Sequence, residues 1–122
     1  MDRQSTGRAL GIARICIGVA LTVAPGRAGR NWLGDMADKP AGAAAVRSLG
    51  VRDLALGVGL MRSVDTGTEP RPWLLAGAAA DAADVAATLI AWKHLPSRGR
   101  LLTVALAGAS TVVGLRAANQ PR

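Results

Sequence analysis

The chain has 122 residues, half of them apolar, yet it lacks Phe and Tyr and has only three Trp. That length allows at most one domain, and a soluble core of Ala, Gly, Leu and Val would lack the aromatic bulk that fills a small domain. The net charge is +7, but the basic residues scatter over loops and ends with no stripe and no aromatic platform, which excludes nucleic acid as a partner.

Residues 1–8 are polar, and 9–25 form an apolar run interrupted only by Arg14. Arg14 and the poor cleavage site at Pro25-Gly26 argue against a signal peptide. Pro25-Gly26 is expected to end the first helix. Residues 27–40 form a polar connection in which Trp32, Leu33 and Met36 share one helical face. A short helix lying on a membrane surface or a loop folded over the helix ends would both fit. The second apolar stretch is 41–61, followed by a Pro- and Gly-containing loop at 62–72. The third is 73–92, bracketed by Trp73 and Trp92; a short basic turn at 93–100 leads to the fourth, 101–118.

These lengths match the roughly 20 helical residues that cross a bilayer. A soluble helix needs a polar face, and none of the four stretches carries a stripe of Lys or Glu. The sequence therefore predicts an all-α fold: an antiparallel, up-down, four-helix transmembrane bundle, one integral membrane domain over 1–122. Trp32, Trp73 and Trp92 read as interface anchors. Outside the spans Lys and Arg divide six against six, so no positive-inside bias sets the orientation. An even number of spans puts both termini on one side, taken as the cytoplasm. The expected location is the cell membrane. The expected partners are the bilayer and, beyond it, a second copy or a larger membrane complex.

Charges inside apolar spans are expensive and need partners. Arg14, Arg47, Arg52, Asp53, Asp81 and Asp84 form the candidate buried network, three of each sign. Helical spacing predicts one inner stripe per span. These run Gly7, Gly11, Arg14, Gly18, Thr22, Pro25; then Ser48, Arg52, Ala55, Gly59; then Gly77, Asp81, Asp84, Thr88; then Thr103, Ala107, Ser110, Gly114. Gly11, Gly18, Gly50, Gly57, Gly59, Gly77 and Gly114 are the candidate packing positions, where small residues let helices approach. Matching depths across antiparallel spans predicts that Arg52 pairs with Asp81 or Asp84, with Arg14 as a further donor. Arg14 and Arg47 lie near enough to helix ends to snorkel instead.

No His or Glu lies in any span, so neither metal nor cofactor is expected. Cys16 reads as a packing residue and His94 as a solvated loop residue. Two carboxylates at i and i+3 could form an acid–base dyad or a proton relay. Neighbouring arginines favour a structural ion-pair network instead.

The segments RSLGVRDLALGVGL (47–60) and AGAAADAADVAATL (76–89) resemble a family of small four-span membrane proteins common in actinobacteria, catalogued as domain of unknown function 4267. The shared pattern is R-x-x-G-x-R-D followed by D-x-x-D, here Arg47, Gly50, Arg52, Asp53, Asp81 and Asp84. The resemblance implies a bacterial integral membrane bundle and no known activity. The leading functional reading is a non-enzymatic structural or accessory subunit. The alternatives are a small transporter or ion relay using Asp81 and Asp84, and a membrane-embedded isomerase or cyclase with an aspartate acid. A water-accessible cavity reaching Asp81 or Asp84 favours the alternatives; a dry packed centre favours the subunit.

Overall fold

Asp2 opens the first helix: its Oδ1 accepts the Ser5 N–H at 2.7 Å, which caps the exposed first turn. The same bond holds the Asp2 carboxyl below its ordinary range. The computed structural model describes residues 2–121, and all regular elements among them are helical. The α-helices are α1 (Arg3–Val23), α2 (Pro25–Leu33), α3 (Pro40–Asp65), α4 (Arg71–Ile90) and α5 (Ser97–Ala118). Short 3-10 turns lie at Gly34–Asp38 and Trp92–His94.

Two expectations are adjusted here. The first helix does end just before Pro25, as expected, but Pro25 also begins another. The chain breaks at Ala24 (φ −130°, ψ 64°), and Pro25 starts α2. Proline cannot continue a helix, but its fixed φ and missing N–H suit a first turn. The second correction concerns the spans. Three helices, not four, are long and apolar enough to cross a membrane: α1, α4 and α5. α3 is the longest, at 26 residues, but Arg47, Arg52 and Asp53 interrupt its apolar length.

The helices form two tight pairs. α1 packs on α3 in the opposite direction, backbone against backbone, with Gly11 facing Gly57 and Gly18 facing Gly50. A Cβ at Gly18 would lie 2.6 Å from Leu54 N, and one at Gly57 would lie 2.8 Å from Gly11 O. Only glycine allows that approach. The buried face of α3 is Gly42, Val46, Gly50, Asp53, Gly57, Leu60 and Ser63, whereas Ser48 and Ala55 of the expected stripe are exposed. The helix is thus turned about one residue from the expected face. In the second pair α4 lies against α5, with Gly114 beside Ala78 and the Leu74 carbonyl.

At one end, Leu60, Leu74, Ala117 and Ala118 form a small apolar core, with Leu10 and Leu75 packed against it. Arg3 closes this end. Its guanidinium donates to the carbonyls of Ala117 (3.0 Å), Ala118 (3.1 Å) and Gln120, and to Glu69 Oε1 (2.8 Å). At the other end α2 lies over the start of α5. A Cβ at Gly99 would lie 1.4 Å from the Asn31 carbonyl oxygen. Gly34, with φ at +61°, makes the turn beside Pro96. The outer faces stay apolar: Ile12, Ile17, Val19, Leu89, Ile90, Leu101, Leu106 and Val112 are all exposed. Exposed apolar surface on that scale fits contact with lipid.

Candidate functional site

The charges converge where the two helix pairs meet. Arg14 of α1 projects from the buried α1 face toward α4. Its Nη1 donates to Asp81 Oδ1 at 3.2 Å and its Nη2 to Asp81 Oδ2 at 2.6 Å. The planar fork of arginine matches the two carboxylate oxygens, as a lysine could not. Nη1 also reaches Asp53 Oδ1 on α3, at 3.3 Å. Arg14, Asp53 and Asp81 are only 6–8% exposed.

Arg52 makes the second fork, donating to Asp84 Oδ1 at 2.8 Å and Oδ2 at 2.6 Å. Its Nη2 also lies 3.5 Å from Asp53 Oδ1. This group is more open, with the Arg52 and Asp84 side chains 30% and 22% exposed. Arg52 Nε is sealed and meets no acceptor among the described residues. Turning both terminal nitrogens onto Asp84 leaves Nε facing the protein.

Asp53 therefore sits between two guanidiniums without being forked by either. Its Oδ1 takes two long contacts, and its Oδ2 accepts no hydrogen bond among the described residues.

Local sequence prepares this arrangement. Asp81 and Asp84 stand one turn apart on α4, so they present carboxylates to two different arginines. Gly77, one turn before Asp81, makes room for the Arg14 head: a Cβ there would lie 2.7 Å from Nη2. Thr88, one turn after Asp84, is fully buried; its hydroxyl donates to the Asp84 carbonyl at 2.7 Å and accepts from Trp32 Nε1 at 3.0 Å.

Beside the cluster lies a cavity of about 360 Å³. Arg14, Arg52, Asp53, Asp81 and Asp84 line it, and most of the remaining wall is apolar. Its exposed lining residues, Ala13 and Ile17 on α1, Leu102 and Leu106 on α5 and Asn31 on α2, mark a mouth between α1 and α5 with α2 at one end. Among the described residues no group of three or more His, Cys, Asp or Glu is placed to hold a metal ion.

Of the six candidate network residues, five meet here. Arg47 does not; it is exposed, and its Nε donates to the Thr22 carbonyl at 3.3 Å. The candidate glycines divide by role. Gly11, Gly18, Gly50 and Gly57 bring α1 onto α3, and Gly114 faces α4. Gly77 serves the guanidinium, and Gly59 lies under the Trp73 ring, 2.3 Å from where a Cβ would stand. Trp73 is 40% exposed. Trp32 turns inward to the cavity and Thr88. Trp92 carries Arg100 over its ring at 4.6 Å, a cation–π contact. Cys16 is exposed on the outer side of α1, away from any packing role. The cavity walls Leu102 and Leu106 escaped the sequence reading because they lie off the small-residue stripe of α5.

Comparison with known proteins finds no matching family model, no similar curated protein and no similar solved structure.

Proposed function

We propose that this chain is a four-span membrane protein that holds a lipid-dissolved small molecule at its centre, as a small carrier or transporter does. The observation that supports this reading is the cavity of about 360 Å³ reaching Asp53, Asp81 and Asp84. A purely structural network calls for a dry, filled centre, because an empty apolar wall forfeits its packing contacts. Cavities of this size fall at the lower end of those that take small ligands.

We take α3 as the fourth span, although its length and composition alone do not make it one. On its own its central charges oppose insertion by roughly 2.5–3.5 kcal/mol each. Within the assembled protein Arg52 and Asp53 turn to partners on α1 and α4, which offsets that cost. With α1 and α5 in the bilayer, the mouth between them opens sideways among acyl chains. A ligand would then enter from the lipid rather than from water.

An enzyme using Asp81 or Asp84 as an acid gains no support, since each gives both oxygens to an arginine. The accessory-subunit reading keeps one argument, the completeness of those two forks. The two readings part on purification from the membrane in mild detergent. The wild-type protein should carry a lipophilic molecule that Ser110→Phe, with a ring filling the cavity, lacks. Identical extracts from both proteins would favour the accessory subunit.

A further inference from the structure

We infer that the cavity takes a lipophilic monocation, a protonated amine on an apolar body, with Asp53 as its counter-ion; this rests on the binding reading above. The cavity wall holds three carboxylates and only two guanidiniums. Asp81 and Asp84 are each forked by an arginine, so the excess negative charge falls on Asp53. Asp53 is 8% exposed, and its nearest contacts are 3.3 and 3.5 Å long. Its Oδ2 accepts no hydrogen bond among the described residues, yet it is not sealed. A carboxylate held away from water by only two long contacts, each shared with another aspartate, is under-compensated and costly.

The remaining walls select the body of the ligand. Leu10, Ile17, Val46, Leu49, Leu102 and Leu106 offer apolar surface. Trp32 adds an aromatic ring to the wall. An anion would meet a wall of net negative charge. A neutral ligand of the same shape would leave Asp53 unmatched. One cationic head on a compact apolar body satisfies both the charge and the walls.

The test uses two isosteric probes, 1-aminoadamantane and 1-adamantanol, on the purified full chain in detergent. The readouts are thermal unfolding and tryptophan fluorescence. The amine should raise Tm saturably, by about 10 °C at a hundredfold excess over its Kd. The alcohol should leave Tm within a degree or so, and Asp53→Asn should lose the amine response. Equal shifts from amine and alcohol, or a full amine response in Asp53→Asn, would overturn the charge assignment and leave the cavity reading standing. No response to either probe would overturn both. If Asp53→Asn does not fold, the wild-type contrast between amine and alcohol still decides.

Discussion

Gly77 and Arg14 occupy one another's space: the guanidinium lies where a side chain at position 77 would begin, 2.7 Å from the ideal Cβ. The glycine on α4 and the arginine on α1 thus form one fitted unit, and the fork on Asp81 depends on it. Gly77→Ala should push the Arg14 head off Asp81 and cost about 1–3 kcal/mol through overpacking. A lowered melting temperature in detergent checks this, and an unchanged one would separate the glycine from the fork.

The two forks should differ in strength. Arg14–Asp81 is almost fully buried, so Arg14→Leu or Asp81→Leu should each cost about 3–5 kcal/mol by stranding the other charge. The double mutant should lose less than the two single losses together. Arg52→Leu and Asp84→Leu should couple in the same way but more weakly, because that pair is less buried and each mutation strands a less enclosed charge. The cross pair Arg52 and Asp81, linked only through Asp53 and Arg14, should couple least of the three. Thermal melts across the three cycles give the coupling energies directly.

Backbone contact between α1 and α3 makes a steric prediction with an internal control. Gly18→Ala and Gly57→Ala place a methyl within 3 Å of the opposing backbone and should each destabilise by about 1–3 kcal/mol. Gly108 on α5 has nothing within 4 Å of its ideal Cβ. Gly108→Ala should be neutral or stabilise by up to about 1 kcal/mol, since alanine favours the helix. Equal effects at all three positions would refute the contact.

Membrane insertion should distinguish α3 from α5. As an isolated segment in a translocon assay, α5 should insert, because its Arg98, Arg100 and Arg116 lie near its ends. Isolated α3 should insert poorly. Arg52→Leu and Asp53→Leu should each improve it by about 3 kcal/mol. Efficient insertion of unmodified α3 would show that its charges need no partners.

Much of the charge network was legible in the sequence because Arg and Asp in apolar runs have so few ways to be stable. Depth matching brought Arg14 to the level of Asp81 and left Asp81 and Asp84 as the choices for Arg52. The rotation of α3 was not legible. It is set by where glycine backbones touch α1, and Gly50 and Gly57 carry no side chain to announce a face. With Asp53 facing inward, Arg52 reaches Asp84 from the flank of its helix. Pro25 satisfied two rules at once, helix end and helix start, and only the fold distinguishes them. The cavity was invisible because it depends on how far two helix pairs stand apart, a distance that no local pattern encodes.

The meeting of those two pairs has a consequence for how the molecule is put together. Within each pair the join is steric, glycine on backbone or glycine on alanine; between the pairs two ionic forks beside a gap are joined by an apolar core at one end and by Gly59 under Trp73. The exposed bend at Gly67, where nothing crowds the chain, divides them. Each pair is thus a hairpin with a steric seam of its own. Fragments severed at that bend and made separately should find each other again in one membrane, charge forks and apolar end together fitting as a plug meets its socket.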